Sequence, residues 1–157
     1  TQLSSTRRYD GDKILTKTMI NNYAKNNLLP PPVKKKYSKE HVLLLIFIYY
    51  FKNILSIKDI ETLLRPLVEK YFHQEKELDL TAIYEEICSV EKADVEPLKD
   101  EMKKLYARTM DSFSDAPEED RAYLQLFSLI CGLSFDVYVK KQMIEKLIDS
   151  LQDPKEK

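Results

Sequence analysis

Apolar positions recur mostly three and four residues apart along this chain, the spacing of an amphipathic helix, with polar stretches between the runs. Thr16 can cap a helix running to Asn27, with Ile20, Tyr23, Ala24 and Asn27 on one face and Thr18, Asn21, Asn22 and Lys25 on the other. Leu28-Leu29 and the prolines Pro30, Pro31 and Pro32 end it, because proline cannot continue a helix. Lys34, Lys35, Lys36 and Tyr37 read as a short basic strand or loop. Ser38 caps a helix to about Asn53 whose centre, Val42–Phe51, is apolar on every side. Ten such residues are too few to cross a bilayer, which takes about 20, so this is a core helix. Ser56 caps the next, with Ile57, Ile60, Leu63 and Leu64 in helical register and Pro66 set to kink or end it. Further helices are expected at about Leu80–Val90, Val95–Ser112 and Glu118–Leu151, the last with a break at Gly132-Leu133-Ser134. Asp115 and Glu118 have capping-box spacing before it. From Tyr123 to Val139 that helix is apolar around most of its circumference, as in a buried centre or a subunit interface.

Composition supports helices throughout. Two glycines in 157 residues leave little material for hairpins or phosphate-cradling loops. With 43% hydrophobic and 32% charged residues the profile is that of a soluble globular protein rather than a disordered one, and the fold class expected is all-α. The expected division is a tail or linker over 1–15, a first module over 16–66 and a helical regulatory or dimerisation domain over 67–157. Cys88 and Cys131 are isolated and fit a reducing, cytoplasmic setting, with no metal and no cofactor called for. The net charge of −1 conceals an asymmetry: 11 Lys/Arg against 3 Asp/Glu in Thr1–Lys58, but 14 against 23 in Asp59–Lys157. That split suits a nucleic-acid module joined to a regulatory one, or simply two solvated faces of different sign. His41 and His73 are far apart in sequence, and His41 in the first turn of a helix is expected at the surface. No Gly-rich loop, nucleophile elbow, HExxH or paired-cysteine spacing is present, so no enzyme is expected.

From Leu15 to Leu64 the chain resembles the DNA-binding segment of MerR-type regulators. Thr16 stands at that family's helix cap, Ile20 at a buried aliphatic, Tyr23 at a tyrosine, and Asn27-Leu28-Leu29-Pro30 at its Gly-Leu-Leu-Pro turn. Lys35, Tyr37, Ser38, Val42, Leu45 and Ile48 follow in the order of its wing and next helix. Leu55-Ser56-Ile57-Lys58-Asp59-Ile60-Glu61-Thr62-Leu63-Leu64 matches its Phe-Ser-Leu-x-Glu-Ile-x-x-Leu-Leu block. More closely, LTKTMINNY, LLPPPVKKKYSKEH and LSIKDIETLL look like an uncharacterised Firmicutes family, domain-of-unknown-function family eighteen-thirty-six. The resemblance implies a MerR-like winged helix-turn-helix followed by a helical C-terminal domain. The chain also departs from that pattern. Residues 1–15 supply no first helix of the helix-turn-helix: either it is expected ahead of Thr1 or the motif is degenerate. The wing is short and lacks a glycine pair, Asn21 and Asn22 replace an arginine and a tyrosine, and the second half reads as several helices rather than one long coiled-coil helix.

The function implied is that of a bacterial, cytoplasmic, DNA-binding transcriptional regulator. Its recognition helix, 16–27, would enter the major groove, with Asn21 and Asn22 offering amides to adenine edges and Thr18 meeting a thymine methyl. Lys17, Lys25, Lys34, Lys35, Lys36 and the Tyr37 hydroxyl would reach phosphates. Each of these is also ordinary for a solvated surface, and Tyr23 is read as core. The partners implied are double-stranded DNA, a second copy in a homodimer and an unidentified effector, without a membrane. The alternative is a protein–protein adaptor that keeps the winged-helix fold without binding DNA.

Overall fold

A computed structural model describes residues 15–74 and 77–151, so the 1–15 tail lies almost wholly outside the described residues. Those residues form five helices: α1 (Lys17–Lys25), α2 (Lys39–Phe51), α3 (Ile57–Tyr71), α4 (Leu80–Met110) and α5 (Glu118–Asp149). Among them the only extended pairing is a single antiparallel bridge, Val33 to Lys36. The described residues are therefore all-helical, and the expected wing is a turn closed by one bridge rather than a pair of strands. The helix that the MerR resemblance would place before α1 falls outside the described residues.

Two compact units divide the chain: residues up to Glu85 together with Glu145 onward, and Glu86–Ile144. α3 runs on through Pro66 to Tyr71, and the boundary between the units falls within α4, after Glu85. Pro66 is exposed, so water can reach the Thr62 carbonyl that its missing N–H leaves free.

The first unit has a closed core. Tyr23, Leu28 and Leu29 join Leu44 and Ile48 of α2, Ile60 and Leu64 of α3, Leu80 of α4 and Ile148 of α5 among its buried residues. α2 is the central helix its composition predicts, with Leu43, Leu44, Leu45, Phe47 and Ile48 all buried. Serines set the helix starts. Ser38 and Ser56 each close a capping box, Ser38 with His41 and Ser56 with Asp59.

The second unit consists of the remainder of α4 and α5, joined by a turn. α4 is continuous where two helices were expected, running unbroken through residues 91–94; Pro97 lies inside it on an exposed stretch, where water can satisfy the freed carbonyl. α5 is likewise unbroken at Gly132. A Cβ on Gly132 would stand 3.3 Å from Leu105 Cδ1, so this glycine serves close helix approach rather than a bend. Side chains of α5 tie the turn: Gln125 Nε2 donates to the Met110 and Ser112 carbonyls at 2.7 and 3.1 Å, and Arg121 Nη2 to those of Ser114 and Ala116. The Gln125 bonds satisfy carbonyls at and just past the end of α4 that lack intrahelical donors, and the Arg121 bonds satisfy carbonyls of the turn itself. Leu98, Met102, Leu105, Gly132 and Leu133 help to line an open cleft of about 660 Å³ between the two helices.

Candidate nucleic-acid interface

α1 begins with Thr16 in extended conformation, its side chain accepting a hydrogen bond from Met19 N at 3.1 Å. It ends in a Schellman motif. Leu28 N donates to Tyr23 O at 2.9 Å and Asn27 N to Ala24 O at 3.3 Å, with Asn27 in the left-handed region at φ 56. Asparagine thus takes the place that glycine holds in the Gly-Leu-Leu-Pro turn, one of few residues able to do so at modest strain. The motif sends Leu28 and Leu29 into the core, where they are 1% and 2% exposed. With Tyr23 buried as well, and its hydroxyl pKa raised by that burial, the face of α1 that points outward is settled. Lys17, Thr18, Asn21, Asn22 and Lys25 all lie on it and all are exposed.

Beyond the prolines the chain makes a tight turn. Lys36 N donates to Val33 O at 2.9 Å, and both central residues are left-handed, Lys34 at φ 50 and Lys35 at φ 63. Positive φ at both centres is the type I′ pattern, which normally calls for Asn-Gly or Gly-Gly. Here two lysines hold it, at a strain of about 1 kcal/mol or more each. Lys34, Lys35, Lys36 and Tyr37 are all exposed at this turn. Every residue singled out from the sequence as a DNA contact is therefore solvent-facing, one group on a face of α1 and the other at the turn.

His41 fixes the turn to α2, and its place differs from expectation. It is fully buried, not at the surface. Ser38 N donates to its Nδ1 at 3.0 Å, which leaves the other ring nitrogen, Nε2, to carry the proton of the neutral ring. Nε2 is buried and makes no well-formed hydrogen bond, although the Pro31 and Pro30 carbonyls lie near enough to favour its protonated form. The ring packs edge-on against Tyr37 at 5.4 Å and Phe72 at 4.9 Å, and stands 6.0 Å from His73. His73, at φ 55, donates its backbone N–H to Glu40 Oε1 at 2.9 Å and brings Nδ1 to 2.6 Å from Glu40 Oε2. Burial lowers the His41 pKa, and His73 adds to this, while the Pro31 and Pro30 carbonyls and Glu40 act the other way. The Ser38-x-x-His41 spacing was the available signal for this box. The burial itself depends on Phe72 and His73, far along the chain.

Among the described residues no group of three or more His, Cys, Asp or Glu could hold a metal ion. No curated protein and no solved structure matches the chain. A family model matches residues 1–87, nearly the same stretch as the continuous part of the first unit. With more than half of its length matched, the chain belongs to the family described as Domain of unknown function (DUF1836).

Proposed function

We propose that the first unit is a DNA-binding module of the MerR-like winged helix-turn-helix type, serving a transcriptional regulator. The observation that carries this reading is the turn at Lys34, Lys35 and Lys36. Its strained left-handed backbone, which side chains rarely adopt, holds all three lysines in solvent. α1 supplies the second part, an exposed polar face with lysines at both ends and Thr18, Asn21 and Asn22 between. In the major groove the two amides would read adenine edges, and Lys17 and Lys25 would meet phosphates on either side. The turn lysines and the Tyr37 hydroxyl would hold the backbone without reading sequence.

Binding to duplex DNA over a salt series tests the proposal. About four to six phosphate contacts predict a steep linear fall of log K with log salt. Changing Lys34, Lys35 and Lys36 to Glu should abolish binding at moderate salt while leaving the helical signal intact. A flat salt response in the parent, or unchanged binding in the triple variant, would sink it.

One observation favours the second reading, a protein–protein adaptor. Val33, Tyr37 and Val42 are 61%, 42% and 50% exposed around the same turn, an apolar patch that a partner protein could cover. No detectable DNA binding at low salt would leave that reading in place.

A further inference from the structure

The second unit shows an imbalance that the first does not. Between Glu86 and Ile144 no large hydrophobic side chain is completely buried, among the described residues. On α5, Leu124, Gln125, Ser128, Leu129, Gly132 and Leu133 are half-buried, spaced three and four apart along one seam. A second seam of the same period faces solvent. Tyr123, Leu126, Phe127, Ile130, Val137 and Tyr138 are each 51–68% exposed, and Phe135 beside them is 68% exposed. Between Arg121 and Asp136 the helix carries no charged residue, so it has no solvated face there. On α5 alone these side chains leave on the order of 700 Å² of largely apolar surface open to water. A standard interface takes about 800 Å² from each partner, and monomers rarely show contiguous apolar patches beyond a few hundred.

We propose that a second copy of this chain covers the exposed seam, α5 packing antiparallel against α5 of the other copy, with the two-fold axis near Ile130 and Cys131. Two features select a second copy in that orientation. The seam is symmetric about its middle: Tyr123 and Phe127 lie toward one end, Phe135 and Tyr138 toward the other, with the smaller Ile130, Cys131 and Ser134 between. Antiparallel pairing about residues 130 and 131 sets aromatic ends against one another over a narrow centre. Charge agrees over the paired stretch: Glu118, Glu119 and Asp120, with Arg121 beside them, flank one end of the seam, and Lys140 and Lys141 flank the other, Lys140 already bridged to Asp136 on its own helix. The antiparallel pairing brings the acidic start of one copy to the basic end of the other, and a parallel pairing would set like against like. Two helical hairpins joined in this way form a four-helix bundle with an isologous interface.

A lipid bilayer is the competing cover, since α5 is the one helix among the described residues long and apolar enough to span one. The uncharged run between Arg121 and Asp136 is 14 residues, about 21 Å of helix, short of a hydrocarbon core of about 30 Å. The pairing does not depend on DNA binding, and its test reads mass.

Sedimentation equilibrium of the full chain should give about 37 kDa at micromolar concentration, twice the 18.5 kDa of one copy. Phe127→Glu and Ile130→Glu change side chains exposed in the single copy, so each should keep its helical signal and weaken the dimer about 30-fold or more. In a Cys88→Ser background, mild oxidation should link the copies through Cys131, and Cys131→Ser should abolish the link. A monomeric parent at about 50 µM, a dimer indifferent to both glutamates, or flotation of the parent with neutral phosphatidylcholine vesicles would overturn the proposal.

Discussion

His41 is the residue on which the turn and α2 converge, and its chemistry makes folding pH-dependent in a defined direction. Buried and accepting from Ser38 N, the ring is held neutral, its pKa below the ordinary 6.5 mainly through burial. In the unfolded chain the same ring takes a proton near its ordinary value of about 6.5. The folded state resists that proton, so its stability is complete above about 6.5 and declines as pH falls toward the lowered folded value. Protonating Nδ1 would also remove the acceptor for Ser38 N and undo the capping box. His41→Gln keeps an acceptor at the capping position without a titrating group. Urea unfolding at pH 7.5 and 5.5 should therefore show the parent losing more stability on acidification than His41→Gln. Because the His73–Glu40 pair is retained in both proteins, the difference between them isolates His41. Parallel pH profiles would show that the ring does not titrate on unfolding as its burial requires.

The ends of the elements carry the strain, and there stability and binding should separate. Asn27→Gly removes the Cβ from a left-handed helix C-terminus and should stabilise the first unit by about 0.5–1 kcal/mol, measured by urea unfolding. Replacing Lys34-Lys35 by Asn-Gly gives the type I′ turn its preferred residues and should add roughly 1–2 kcal/mol. If the turn lysines meet phosphates, that same variant should lower DNA affinity at every sequence and reduce the salt slope by about 2. A variant both more stable and unimpaired on DNA would place the lysines outside the contact. How far these elements could be read beforehand follows from the range of the forces involved. Thr16, Ser38 and Ser56 start α1, α2 and α3 where the sequence puts them, because a cap is a local bond between a side chain and backbone three residues on. Pro66 and Gly132 look like breaks and are not, because each depends on surroundings: solvent beside the first, Leu105 beside the second. The outward face of α1 was legible from period alone. The burial of His41 was not, since its neighbours come from the far end of α3.

For the molecule as a whole, the two proposals make a joint prediction that neither makes alone. The first unit buries its apolar residues in its own core and displays lysines, whereas the second displays its apolar residues. A chain so divided gains DNA affinity from pairing, because two copies held together bring two sets of phosphate contacts to one duplex. The salt slope scales with the number of phosphates neutralised, about 0.9 for each. A dimer on DNA should therefore show about twice the slope of a variant held monomeric by Phe127→Glu, while each copy keeps the same turn and the same α1 face. Thermal unfolding supplies the control: the parent midpoint should rise with protein concentration, as mass action requires of a dimer, and that of Phe127→Glu should not. Equal slopes for a dimeric parent and a monomeric variant would mean that pairing leaves one module on the duplex. A doubled slope would make the apolar seam of α5 a determinant of DNA affinity without any contact of its own to DNA.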